Sequence, residues 1–458
     1  MKNDFITTKN PFDNQILQHY KLMDKSELEN RVEKCFVAHK RWKKSSLDHR
    51  LSLVNNLGRV LLENKNKYAK IITSEMGKAF KESIAEIEKC SFLCQTYYQN
   101  TKEWLTPEII KVAIPDLYSC QVHARAIGVV LSVMPWNFPF WQAIRFAVPS
   151  LMVGNGHLLR HASATTGSSL FIEEAFKLAG FPPELFQSLI CSHFEVENIL
   201  SNPKVAAFSF TGSSEVGEKL AAIAGRELKK SILELGGSDP FIVFSDADID
   251  RAANAAAVSR LINAGQSCIS AKRFFIHEDV YPLFLSKMKN ALSKAVVGDP
   301  IEEATTIGPL SSESLACKIE LWVKNAIAKG AQIHLDLKRE GAFLYPTLLD
   351  NVDPHSELSC QEVFAPVAIL QSFKSTDEII ALANNTPWGL SASLWTKDLI
   401  MAQNLVGEIE SGSVFINALS KSDPRIPFGG VKKSGWGREM GRMGLWDMSN
   451  PQTLIIFS

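Results

Sequence analysis

Three short segments carry side chains able to do covalent and acid–base chemistry: Gly265-Gln266-Ser267-Cys268, Leu233-Glu234-Leu235-Gly236-Gly237 and Pro135-Trp136-Asn137-Phe138-Pro139. A thiolate at Cys268 adds readily to an electron-poor carbonyl carbon, and Gly265 with the small Ser267 leaves room for a substrate to approach. Glu234 sits between two leucines, where burial would raise its pKa towards the range useful for moving protons. The Asn137 amide can donate to a developing oxyanion. Each residue also has a plainer reading. A single cysteine is commonly a small buried hydrophobe, and an asparagine before Phe-Pro is a turn residue. A glutamate among leucines is ordinarily a solvated face or an ion pair. A fourth segment, Phe210-Thr211-Gly212-Ser213, reads either as an ordinary helix N-cap or as a phosphate cradle at a helix start.

The elements that would position these residues read as α/β. Short apolar runs at Gly128–Val133, Val205–Phe210 and Phe241–Phe244 have strand character and alternate with amphipathic helices. The spacing of Leu28, Val32, Cys35 and Phe36, and of Leu51, Val54, Leu57, Val60 and Leu61, reads the first hundred residues as helical. A helix is expected from near Glu215, and others over 249–263, 279–296 and 313–329. At 458 residues the chain is too long for one layer system, so two or three packed units are expected.

Lys plus Arg equals Asp plus Glu, 49 each, which leaves no electrostatic footprint for nucleic acid or an anionic membrane and points to a small-molecule partner. The apolar run Ile127–Met134 is too short to span a bilayer. The start, Met1-Lys2-Asn3-Asp4, lacks the basic and apolar regions of a secretory signal. Eight cysteines without a C-x-x-C pair suggest neither a disulfide framework nor a metal site, so a soluble cytoplasmic protein is expected.

Taken in order, and together with Gln361-Glu362-Val363-Phe364-Ala365-Pro366 and Pro427-Phe428-Gly429-Gly430-Val431-Lys432-Lys433-Ser434-Gly435, these segments resemble the aldehyde dehydrogenase superfamily over nearly the whole chain. An aldehyde loses hydride only after its carbonyl carbon has become tetrahedral and electron-rich. The resemblance implies that Cys268 forms a thiohemiacetal, that hydride leaves to a nicotinamide cofactor, and that water hydrolyses the resulting thioester. It also implies that Glu234 is the general base. Asn137 and the Cys268 N–H are the implied oxyanion donors, and losing one such donor costs roughly 2.7–4 kcal/mol. Relatives that pass the thioester to coenzyme A usually lack this glutamate, which argues against that route here.

For the cofactor, the resemblance implies contacts from Gly212, Ser213 and Gly217 at a helix start, from Trp136 beside the phosphates, and from Leu235. Glu362 is the implied partner of the nicotinamide-ribose hydroxyls, with Phe364 against that end. The adenosine end departs from the family's Lys-Pro-Ala-Glu: this chain reads Arg160-His161-Ala162-Ser163. Ser163 replaces the glutamate that would repel a 2′-phosphate and Arg160 supplies a guanidinium, so NAD and NADP are both expected to serve.

Within the family, Leu233–Val243 and Gly429–Glu439 resemble the shorter bacterial succinate-semialdehyde dehydrogenases. Arg145 falls at the position of an arginine that binds the distal carboxylate, although a helix-surface ion pair is its plainer reading. A second family arginine, six residues before the nucleophile, is replaced by Ile262, with Arg260 nearby. Ser422, with Ser420, Lys421 and Arg425, would add an anion-friendly loop.

The resemblance implies a Rossmann-type cofactor domain (1–106 and 127–233), an α/β catalytic domain (234–430) and a small β oligomerisation element (107–126 and 440–458). The last would join a hairpin near 107–126 to the strand Thr453–Phe457 and build a homodimer or homotetramer, since an exposed apolar strand needs a partner.

Overall fold

Runs such as Val129-Val130-Leu131-Ser132-Val133-Met134 have no polar face, and a strand of that kind is stable only when covered on both sides. The computed structural model, which describes residues 4–458, places this strand, buried throughout, inside a six-stranded sheet. Met1, Lys2 and Asn3, at the start of the expected cofactor domain and of the signal-peptide reading, lie outside the described residues. The sheet runs in the order Gly435–Trp436, Lys230–Glu234, Val205–Thr211, Val129–Met134, Gly156–His161, Phe186–Ser188. All neighbours are parallel except the first pair, in which Gly435–Trp436 returns antiparallel beside Leu233 and Glu234.

A second sheet has seven strands, in the order Gln332–Leu335, Thr347–Asp350, Val367–Phe373, Arg273–His277, Pro240–Val243, Ser391–Trp395, Ser413–Ile416. Only its Gln332–Leu335 edge is antiparallel. A third, three-stranded antiparallel sheet pairs Leu117–Ala126 with Glu108–Ile109 on one side and Ser449–Phe457 on the other.

Helices cover both large sheets. Lys25–Trp42 starts on a capping box in which Asp24 and Glu27 satisfy each other's backbone N–H groups. The helices expected over 279–296 and 313–329 are found at Tyr281–Leu292 and Glu313–Ala328. Phe80–Trp104, the longest, runs beneath the segments that carry the candidate chemistry.

Two expectations are corrected. The chain does not begin with helices: Phe5–Lys9 and Ile16–Lys21 form an antiparallel hairpin first. Only Thr8 of these strands is buried, while Phe5 and Ile16 face solvent, so no apolar alternation marks them in sequence. The helix expected over 249–263 stops at Leu261, because tertiary hydrogen bonds capture the next residues into a tight left-handed turn.

Candidate active site

The segment ahead of Cys268 is conformationally expensive. Asn263, Ala264 and Gly265 are consecutive left-handed residues, with φ of 52°, 53° and 76°. Such backbone costs on the order of 1–3 kcal/mol per non-glycine residue and persists only where the surroundings over-determine it. They do. Glu82 accepts the Asn263 N–H at 3.0 Å, and Asn263 Nδ2 donates to the Asn137 carbonyl at 2.8 Å. Asn137 Nδ2 in turn donates to the Gln266 carbonyl at 3.1 Å. Arg260 Nη2 donates to the Gly265 carbonyl at 2.6 Å.

Lys272 holds the far side of the turn, its ammonium donating to the carbonyls of Ser267, Cys268 and Ser270 at 3.1, 2.8 and 3.1 Å. A Cβ on Gly265 would lie 2.3 Å from the Ala365 carbonyl oxygen. Gly265→Ala is therefore expected to destabilise the fold by about 1–3 kcal/mol, read as a lower denaturation midpoint. Unchanged stability would show that the turn relaxes freely.

Cys268 is partly exposed on the wall of a cavity of about 230 Å³, shared with Trp141, Arg145, Ile262, Ser422 and Phe428. Burial pushes its thiol up to about 12, with the Arg145 guanidinium the largest opposing influence. The thiol therefore needs a proton acceptor. A larger depression of about 520 Å³, lined by Arg41, Trp42 and Pro183 among others, holds none of the residues singled out above.

Glu234 ends its strand with a buried carboxyl, and neither oxygen has a hydrogen-bond partner. Its pKa lies well above the ordinary 4.5, first from burial and then from the nearby Glu439, with Arg145 and Arg438 opposing. Arg145 is not on a helix surface. It is 2% exposed, and its Nε lies 2.5 Å from Glu439 Oε2, itself buried. Two carboxyls sharing one buried guanidinium hold a proton more tightly than either would alone. The returning segment closes the wall: a Cβ on Gly429 would come within 2.9 Å of Glu234 Oε1.

At the expected cofactor end, Ser213 caps the helix Ser214–Arg226 by accepting the Val216 N–H. The Gly212 N–H is already taken by the Glu234 carbonyl at 3.0 Å, which leaves the first helical N–H groups for an anion. Gly217 has no room for a Cβ because Leu235 packs against it, with side-chain atoms 2.6 and 2.9 Å from the Cβ position. Trp136 meets Phe364 edge to face at 6.1 Å. Glu362 accepts the Gly237 N–H at 2.9 Å and lies 3.6 Å from the Lys272 ammonium. Arg160 Nη2 is 3.4 Å from the exposed Ser163 Oγ.

Several residues around the site went unnoticed in the sequence: Glu82, Glu86, Lys89, Lys272 and Glu439. Glu86 Oε1 accepts the Phe140 and Trp141 N–H groups at the start of the helix that carries Arg145, while its Oε2 binds the buried Lys78. Positions 82, 86 and 89 share one face of Phe80–Trp104, the only signal available, and such charge spacing ordinarily marks a solvated face.

A strained thiol turn, a buried unpartnered carboxyl and a helix start beside a parallel sheet match a known family. Residues 1–454 fit the aldehyde dehydrogenase family, and the chain belongs to it. More narrowly, it is 39% identical over 454 residues to a probable succinate-semialdehyde dehydrogenase [NADP(+)] of Synechocystis sp., covering 98% of this chain and 99% of that one. It is 38% identical to the succinate-semialdehyde dehydrogenase [NADP(+)] of Mycobacterium avium, covering 99% and 97%. Among solved structures, succinic semialdehyde dehydrogenase from Streptococcus pyogenes in complex with NADP+ superposes with a TM-score of 0.95 at 32% identity, over 99% of this chain and 100% of that one.

Proposed function

We propose that this aldehyde dehydrogenase oxidises succinate semialdehyde to succinate with NADP, and with NAD less well. The observation that carries the reading is one cavity of about 230 Å³ whose wall holds the Cys268 thiol together with basic and hydroxylic groups, Arg145 and Ser422 among them, which suits a small carboxylated aldehyde.

Cys268 Sγ attacks the aldehyde carbon while Glu234 takes the thiol proton, giving a thiohemiacetal. One Asn137 amide N–H is used by the Gln266 carbonyl, and the other, with the Cys268 N–H, stabilises the oxyanion. A nicotinamide cofactor bound there would supply the hydride acceptor for this carbon. Glu234 then activates water against the Cys268 thioester, which releases the acid and restores the thiol.

The residues fit a nicotinamide dinucleotide phosphate. Free N–H groups at Ser214 and Glu215 suit the pyrophosphate, on a helix start that Ser213 caps and that Gly212 and Gly217 pack tightly against Phe210 and Leu235. Trp136, Leu235, Glu362 and Phe364 are assigned to the rest of the cofactor, supported by the Trp136–Phe364 contact and by Glu362 beside Gly237. Arg160 has a buried, unpartnered Nε beside Ser163, which suits a 2′-phosphate.

Initial rates with succinate semialdehyde, glutarate semialdehyde and butanal, each with NAD and NADP, test the assignment. Preference for the four-carbon acid supports it, and equal rates on butanal overturn the substrate. Ser163→Glu should cut kcat/KM for NADP at least about tenfold and spare NAD, because a carboxylate facing the 2′-phosphate adds like-charge repulsion. An unchanged NADP to NAD ratio would remove Ser163 from cofactor choice.

The reading extends to the domain division given by the resemblance: 1–106 with 127–233 for cofactor, 234–430 for catalysis, and 107–126 with 440–458 for assembly. Ile109, Tyr118, Ile455 and Phe457, 70%, 76%, 50% and 56% exposed on the three-stranded sheet, suit pairing with a second copy as a dimer or tetramer. Among the described residues no helix is long and apolar enough to cross a membrane, and a cytoplasmic location is part of the same proposal.

A further inference from the structure

The cavity that opens on Cys268 contains a cation that no part of the reaction above uses. Lys89 comes from the Phe80–Trp104 helix, is partly buried, and donates to Ser422 Oγ at 2.7 Å. Its ammonium lies 4.1 Å over the Trp141 ring. The carboxylates near it are already engaged. Glu82, on the cavity wall, accepts the Asn263 N–H, Glu86 serves Lys78 and the backbone N–H groups of Phe140 and Trp141, and Asp423 is held by Arg425 through Nε and Nη2. Arg145 shares the cavity, but its charge is matched by Glu439. Ile262, which also lines the cavity, contributes no charge. Lys421 also lines the cavity but is exposed to solvent, so Lys89 is the partly buried cation there whose neighbouring acids are spent elsewhere. A half-buried ammonium in that position gains most from an anion delivered by the substrate.

We propose that Lys89, acting with the Ser422 hydroxyl, binds the distal carboxylate of the aldehyde substrate and is the specificity-determining residue for ω-carboxylated aldehydes. Arg145, tied to Glu439, flanks that carboxylate and acts chiefly on the charges of Cys268 and Glu234. The assignment rests on the proposed substrate class and identifies the residue that enforces it. Lys89 supplies from a helix the charge that position 262 lacks. Burial and the adjacent Arg145 lower the Lys89 ammonium to about 8, as expected of a cation awaiting its counter-ion.

The test compares wild type, Lys89→Met and Lys89→Arg on succinate semialdehyde and on butanal, which has the same length and no carboxylate. Lys89→Met should lower kcat/KM for succinate semialdehyde by roughly 10- to 100-fold, mainly through KM, with butanal changed less than about threefold. Lys89→Arg should recover most of the loss, since a guanidinium also binds a carboxylate. Where wild type prefers succinate semialdehyde, equal losses on both aldehydes, or no loss on either, overturn the assignment.

Succinate, used as an inhibitor of butanal oxidation, separates this assignment from the broader one. If wild type fails to prefer succinate semialdehyde, the proposed substrate falls. The anion site then stands on its own if Lys89→Met weakens succinate inhibition at least about tenfold. It falls if inhibition is unchanged.

Discussion

Cys268→Ala is expected to lose aldehyde oxidation by a factor on the order of 10⁴ or more, because no other group on the cavity can form the covalent intermediate. Its backbone N–H and the neighbouring Asn137 amide would remain in place. The side chain is partly exposed and its loop is held by Glu82, Asn137, Arg260 and Lys272 through the backbone. Stability should therefore stay close to that of wild type, and cofactor should still bind. Both are measurable on the same sample, by denaturant unfolding and by cofactor fluorescence. Full activity in a folded, cofactor-binding Cys268→Ala protein would sink the covalent mechanism.

The second large effect is on Glu234. Glu234→Gln keeps the shape and removes the proton acceptor, so kcat should fall by roughly 10²–10⁴. The wild-type kcat/KM should rise with pH along an acid limb whose midpoint lies well above the ordinary carboxyl value of 4.5, since burial and Glu439 both disfavour ionisation. In the variant that limb should vanish.

Stability carries the same signature with a definite sign. A carboxyl whose folded pKa is raised is penalised for ionising in the folded state, so its contribution falls as pH rises above 4.5. Glu234→Gln should consequently be less sensitive to rising pH than wild type, and at neutral pH no less stable. An acid limb that survives in Glu234→Gln would assign the proton to another group, with Glu439 the nearest candidate.

The parts of this molecule that sequence made legible are those where one residue type has few substitutes. Gly265-Gln266-Ser267-Cys268 and Leu233-Glu234-Leu235-Gly236-Gly237 stood out because the thiol, the acid and the glycines fall in an order that packing alone does not demand. The parallel strands were equally plain, since Val129–Met134 and Val205–Thr211 are apolar runs that only a doubly covered sheet accommodates.

What could not be read is what depends on a meeting of distant segments. Glu82, Glu86 and Lys89 look like one charged helix face, and only tertiary packing shows three separate segments, the start of a helix among them, folded onto it. Glu439 reads as a polar residue near the C-terminus until the strand Gly435–Trp436 brings it beside Arg145. The N-terminal hairpin escaped for the opposite reason, since its side chains bury too little to leave a pattern.

The returning segment has a meaning for the life of the chain as well as for its chemistry. Synthesis runs from the N-terminus, so the thiol turn leaves the ribosome well before Phe428–Glu439, the stretch that walls in Glu234 and supplies the partner of Arg145. Until then the burial and the Glu439 carboxyl that raise the Glu234 pKa are incomplete, and Glu234 is a poorer proton acceptor. A nascent or prematurely ended polypeptide therefore lacks part of the wall around its proton acceptor, and the acid–base site is complete only once residue 439 has been added.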